Sequence, residues 1–324
     1  MIGKETRERV LTGRLSVFII MLFLCFMWGS AYPIVKIGYD VLSVDKTHTP
    51  SIMLFAGIRY VITGLMLLIP GIIRSPKSFA IDMTKQGCIL INAVFQVIGQ
   101  YYFYYIGLAR TPGTRAAIVN STTVFIAVFL AALVFRTEKY TFLKLVSSIM
   151  AVASVFALNY VRGFGFSFSL RAEGFILASS FLSAMATCLQ RPLAKKTGVM
   201  PLCSYSFLLG GLFFTAYGFF FGGKIEMEGL GAWALVICLS LISAIGFSVQ
   251  ALLLEYNDVS IVSVYRMMLP LFGVVLSAVF LDEFGVLLRW NTLVSLVLMV
   301  SAMLLLGTER RVRKPESVGA GQAQ

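Results

Sequence analysis

Long unbroken runs of apolar residues, separated by short polar corners, dominate the chain. A membrane-spanning helix needs about 20 mostly apolar residues, whereas a barrel strand alternates over about ten. The runs predict ten spanning helices: 16–39, 51–73, 87–107, 115–135 and 141–161, then 172–194, 201–222, 230–255, 259–281 and 288–307. The expected fold class is all-α integral membrane. Residues 308–324 open with a basic cluster and turn small and polar, which reads as a disordered cytoplasmic tail.

Composition excludes the soluble classes. Of 324 residues, 58% are hydrophobic and only 13% are charged, against about 25% charged in an ordinary soluble domain. Mean hydropathy is +0.87. The net charge of +12 is unevenly spread. With the N-terminus placed inside, 17 Lys and Arg fall on the cytoplasmic side and 7 on the other. That bias predicts a multi-pass protein of the cell membrane with both termini cytoplasmic. The corner from Glu255 to Asp258, inside on this reading, carries no base and dissents. Lys4, Arg7, Arg9 and Arg14 precede an apolar run too long for a signal-peptide core. No basic run interleaves with aromatics as on a nucleic-acid-binding face, and no P-loop pattern implies an ATPase subunit. Cys25, Cys88, Cys188, Cys203 and Cys238 lie in apolar segments without metal-ligand spacing and read as buried, inert thiols. No cofactor or metal is implied, and the expected partners are a small-molecule substrate and the lipid bilayer.

The chain is weakly similar to itself. Leu133-Val-Phe-Arg-Thr-Glu138 ends the fourth span, and Ala278-Val-Phe-Leu-Asp-Glu283 ends the ninth, 145 residues later. Pro33 and Lys36 in the first span match Pro192 and Lys195 in the sixth, 159 residues later. Repeats of five spans, 16–161 and 172–307, cross the membrane in opposite directions because five is odd. That is the inverted-repeat plan of secondary transporters, with the solute site near the midplane between repeats.

Met27-Trp-Gly-Ser-Ala-Tyr-Pro33 with Lys36 lies in the first span, and Gly57-Ile-Arg-Tyr60 opens the second. Together with Leu269-Pro270 and Phe280-Leu-Asp-Glu283, they resemble the EamA-type branch of the drug/metabolite transporter superfamily, over essentially the whole chain. The resemblance implies a ten-helix carrier whose cavity is lined largely by spans 1, 3, 4, 6, 8 and 9. It also implies small metabolites, often amino acids or related compounds, commonly exported. Two departures stand out: Thr187 occupies the place where Trp-Gly would recur, and Arg266 is not a general feature of the family.

Polar groups inside spans point to candidate chemistry, since a charge at the bilayer centre costs at least about 2.5–3.5 kcal/mol. All fifteen carboxylates lie in loops or at span ends, and His48 is in a loop, so no midplane proton relay is evident. Lys36 is expected to snorkel to the outer headgroups. Arg59 either anchors helix-end carbonyls or faces an outer vestibule. Arg266 stands beside Tyr265, four residues before Pro270, which should bend the helix and free the Arg266 carbonyl. Its guanidinium suits an anionic substrate group, the alternative being an interhelical pairing with a carbonyl, Glu255 or Asp258. Asn92, Gln96 and Gln100 share one helical face, with Tyr104 extending the line. Gln96 and Gln100 are expected to line the cavity, while Tyr101, Tyr102 and Tyr105 suit an interfacial belt as well as a chamber. Trp28 and Tyr32 line one face of the first span. Asn120 to Thr123, and Ser183, Thr187 and Gln190, offer weak polar contacts or close packing, as do Gly210 and Gly211.

The leading expectation is a carrier, an exporter in the family's habit, working by alternating access of two inverted repeats. An integral membrane enzyme would need convergent acids, histidines or a metal set within the bilayer. A receptor or assembly factor using the same fold without moving a solute is the other alternative.

Overall fold

A computed structural model of the chain describes residues 10–136, 141–161, 165–166, 168–257, 262, 265–266 and 268–312. Lys4, Arg7, Arg9, Glu138, Asp258 and the tail from 313 lie outside the described residues. The first half holds α1 (Arg14–Val41), α2 (Thr49–Arg74), α3 (residues 83–110), α4 (Gly113–Val134) and α5 (Phe142–Asn159). The second holds α6 (Leu170–Thr197), α7 (Val199–Phe220), α8 (Gly229–Tyr256), α9 (Leu269–Phe280) and α10 (Trp290–Val312). Tyr160–Val161 and Gly165–Phe166 pair as a minimal antiparallel hairpin between α5 and α6.

Six helices are long and apolar enough to cross a membrane: α1, α2, α4, α6, α7 and α8. The described parts of the remaining expected spans are largely helical but shorter or more polar. The apolar parts of α5, α9 and α10 run Leu145–Leu158, Leu269–Phe280 and Trp290–Ala302. Amides and tyrosines dilute α3, which is continuous helix in three parts, Met83–Asn92, a wider π-type stretch Ala93–Gly99, and Gln100–Arg110. Asp82 starts it by accepting a hydrogen bond from the Lys85 amide, a side-chain N-cap.

Packing between helices is close because lipid is as apolar as the side chains and only tight fit and polar bonds favour association. The α2–α7 seam shows this most plainly. A Cβ placed on Gly64 would stand 2.6 Å from the Leu208 amide nitrogen, and one on Gly218 2.6 Å from Leu54 Cβ. Between them, Gly57 faces Thr215 and Gly211 faces Val61, each with less room still. Positions rise along α2 as they fall along α7, so the helices run antiparallel. Gly210, beside the seam, packs against Val97 of α3.

Large apolar side chains such as Phe23, Ile149, Phe219 and Leu304 are exposed around the outside, as a lipid-facing surface requires. The interior holds a cluster of aromatic rings. Tyr39, Tyr60, Tyr101, Tyr104 and Tyr105 contact one another and Phe55 and Phe207 at centroid distances of 4.5 to 6.3 Å. Tyr101 and Tyr105 are buried in this core rather than set in an interfacial belt. Cys25, Cys88, Cys188 and Cys203 are buried, but Cys238 is exposed, against the expectation that all five thiols are packed away.

Candidate functional site

Within the bundle, a small cavity gathers polar groups from α1, α2, α3, α4 and α8 and from the segment that enters α9. Trp28, Tyr32, Arg59, Gln100, Tyr104, Asn120, Ser243 and Arg266 line it, with Tyr101, Phe247, Leu269 and a few aliphatic side chains closing the wall. Its volume is about 50 Å³. At about 10–15 Å³ per water, that is room for a few waters and too little for a metabolite. A second, wider groove of about 750 Å³ between α4, α5 and α6 has an almost wholly hydrocarbon lining and no charged group.

Two guanidinium groups face the small cavity, and both are buried, Arg59 at 3% exposure and Arg266 at 7%. The Arg266 guanidinium lies 5.1 Å from the centroid of the Trp28 ring, a cation–π contact. Its Nε has no hydrogen-bond partner, and among the described residues no carboxylate lies within ion-pair distance. Of the alternatives weighed for Arg266, Asp258 lies outside the described residues, and Glu255 makes no ion pair with it. The described helix α9 begins at Leu269, with Pro270 in its first turn. Proline costs nothing at that place, because first-turn amides have no helical acceptor in any case. Tyr265 and Arg266 form the helical turn before it.

Arg59 is neither at a helix end nor in a vestibule. Its Nη1 donates to the Tyr105 hydroxyl, and its Nη2 to the Leu239 carbonyl at 3.1 Å and to Ser243 Oγ. It thereby braces α2 against α3 and α8, stacked 4.7 Å from the Tyr60 ring centroid. Its Nε has no partner.

The amides divide their roles. Gln96 Nε2 donates to Gln100 Oε1 at 3.1 Å, so Gln100 reaches the cavity while Gln96 holds it from behind. Asn92 turns to α7 and donates to Ser206 Oγ at 3.0 Å. The wider helical turn from Ala93 to Gly99 lies between them and breaks the single face that regular helical spacing predicts. Asn120 Nδ2 donates to the Tyr32 hydroxyl at 2.7 Å, and Asn120 Oδ1 accepts from Ser180 Oγ of α6 at 3.2 Å. Trp28 packs against Phe247, its Nε1–H buried without an acceptor.

Several expected contributors lie elsewhere. Tyr265 does not line the cavity; its ring meets Phe18 and its carbonyl accepts from Cys25 Sγ. Ser121, Thr122 and Thr123 return their hydroxyls to carbonyls three residues back, and Thr187 to Ser183. Gln190 is buried apart from the cavity, both its amide atoms without partners. No residue of α6 lines the cavity, although the family resemblance implied span six; α2 supplies Arg59 instead. Ser243 and Phe247 of α8 were not singled out from the sequence. Ser240 and Ser243, three apart in an apolar span, were the available signal.

At one end of the bundle the structure departs from the reading of Lys36. Its Nζ donates to the Thr111 carbonyl at 2.9 Å and lies 3.6 Å from Glu283 Oε1, instead of snorkelling to headgroups. Glu283 also accepts the backbone amides of Gly113 and Thr114, both at 2.9 Å, at the start of α4. A carboxylate at a helix N-terminus satisfies free amides and meets the positive end of the dipole. One side chain from the end of α9 thus ties together α1 and α4 at the end opposite Arg14.

The same architecture recurs elsewhere. The model of the EamA-like transporter family matches residues 15–160 and again 170–308. The chain is 25% identical over 308 residues to the uncharacterized transporter YvbV of Bacillus subtilis (strain 168), covering 94% of this chain and 95% of that one. A solved crystal structure superposes with a TM-score of 0.65 at 17% identity, over 93% of this chain and 100% of that one, which shows a shared fold. Apolar helices of crossing length around a small polar interior are what such a family requires, and this chain belongs to the EamA-like transporter family.

Proposed function

We propose that the chain exports small organic metabolites such as amino acids, by alternating access of two inverted five-helix repeats in a ten-span bundle. The observation that carries the substrate site is Arg266. It is a permanent charge buried against Trp28, aimed at a polar cavity, with no described carboxylate to neutralise it. A guanidinium cannot shed its proton, so burial without a partner is stable only where an anion or water reaches it. The carboxylate of an amino acid or organic acid supplies that partner by two parallel hydrogen bonds.

The two-repeat arrangement draws support from the α2–α7 seam. Gly57 and Gly64 recur as Gly211 and Gly218, 154 residues on, between the offsets of 159 and 145 found for other motifs. Equivalent helices related by a two-fold axis in the membrane plane meet head to tail, and α2 and α7 do meet so, each pair of glycines against the other helix. In this conformation the chamber is contracted and the Lys36–Glu283 tie closes one end, so solute entry requires the halves to rock apart. Outward direction follows the habit of the family.

Cells overproducing the protein should enrich the medium in particular metabolites, and Arg266→Gln at equal membrane abundance should abolish the enrichment. Unchanged enrichment by the variant contradicts the role given to Arg266.

A further inference from the structure

We infer that the chamber selects solutes carrying two acidic groups, dicarboxylates and acidic amino acids, and that Arg59 is the second specificity determinant beside Arg266. The inference rests on the carrier reading above and deepens it. Among the residues that line the cavity are two guanidinium groups and no Asp or Glu. Two described carboxylates of low exposure are committed elsewhere. Glu283 holds Lys36 and the start of α4, and Glu173 lies 3.3 Å from Arg115 and accepts the Ser169 amide. The chamber therefore holds two positive charges that nothing in its wall offsets.

The rest of the lining is donor-rich in the same sense. Trp28 Nε1–H, Arg59 Nε–H and Arg266 Nε–H are buried without acceptors. Gln100 Oε1 already accepts from Gln96, and the Tyr32 hydroxyl from Asn120. A solute with acceptor-only groups at two ends satisfies those donors. A cation finds two like charges, and a neutral solute leaves both guanidiniums uncompensated in a low dielectric. The ammonium of an acidic amino acid still finds the aromatic side chains of Tyr101 and Tyr104 in the wall. Arg59 is held in place by Tyr105, Leu239 and Ser243, so its charge is fixed before solute arrives. Arg266, which among the described residues meets the Trp28 ring and no carboxylate, can close bidentately on a carboxylate.

The test uses the purified full-length protein with succinate, glutamate, butyrate, leucine and putrescine as probes, plus an unfractionated metabolite extract. Binding is read by solute-dependent thermal stabilisation in detergent, and transport by counterflow in liposomes. Succinate and glutamate are expected to bind and exchange, with butyrate weaker by about ten- to hundred-fold for the loss of one charge-assisted contact. Leucine should be weaker still, and putrescine inert. Arg59→Gln is expected to collapse the succinate-to-butyrate ratio, and Arg59→Lys, which keeps the charge, to restore most of it. The ratio is independent of yield, so partial misfolding of one variant does not decide the result. Preference for leucine or putrescine, or a succinate-to-butyrate ratio unchanged in Arg59→Gln, overturns the acidic-solute class. Exchange of other solutes from the extract alone does so too, leaving the carrier reading intact. No exchange from any mixture overturns the carrier reading itself.

Discussion

Glu283 and Lys36 show how one side chain can hold an end of the molecule. They stand 247 residues apart, yet the carboxylate spans α1, the first turn of α4 and the end of α9. Removing the acceptor leaves two amides without a partner and the Lys36 ammonium with the Thr111 carbonyl alone. Glu283→Gln keeps the shape and one acceptor but loses the charge. It is expected to lower stability by about 1–2 kcal/mol, on the scale of a lost cap. Lys36→Met should cost less, and the double variant less than the sum, because both remove the same pairing. Melting of the four proteins in detergent measures this; strict additivity would mean that the two groups do not act together. The sequence put Glu283 in a motif but gave no partner, since a contact across so long a separation leaves no local pattern. Arg266, Trp28, Tyr32 and Gln100 were legible because polar or amphipathic groups inside an apolar span are expensive wherever they point. Gln96 was less so: regular spacing put it beside Gln100 on one face, and only the π-type turn at Ala93–Gly99 sends it behind.

Among the elements, α2 and α7 make the most demanding contact, and their glycines set it. Gly211→Leu would drive a side chain into the Val61 backbone, and Gly64→Leu into Leu208. Either should cost about 1–3 kcal/mol or more as overpacking and reduce the yield of monodisperse protein. Gly87 lies in α3 with nothing within 4 Å of the Cβ it would gain. Gly87→Ala is therefore expected to be neutral or to raise stability by about 0.5–1 kcal/mol through helix propensity. Size-exclusion profiles and melting temperatures separate the two outcomes; tolerance of Gly211→Leu would refute the tight seam. Most described helix ends fall within a few residues of the expected ones, because long apolar runs and polar corners mark them; the described helix α9 instead begins at Leu269, ten residues past the expected start of the ninth span. The third span, expected at 87–107, was marked as well, although amides and tyrosines lower the hydropathy of α3, which forms continuous helix from 83 to 110. The lining helices were legible only in part. Arg59 replaces a contribution from α6 because Ser180 of α6 reaches only the far side of Asn120.

For the whole molecule, the account predicts a cycle in which the chamber opens to one face and then the other. On the proposed reading the Glu283 tie lies at one closed end of the chamber, and Lys195 and Glu138 match Lys36 and Glu283 in the sequence repeat. Weakening the Glu283 tie should bias the cycle toward one face. The most direct measurement places a single cysteine at Gln100 in a cysteine-free background and labels it with a membrane-impermeant thiol reagent from each side. Labelling from both faces is predicted, with Glu283→Gln raising the rate from one of them. Labelling from neither face, or from one face whatever the variant, would contradict alternating access through this chamber.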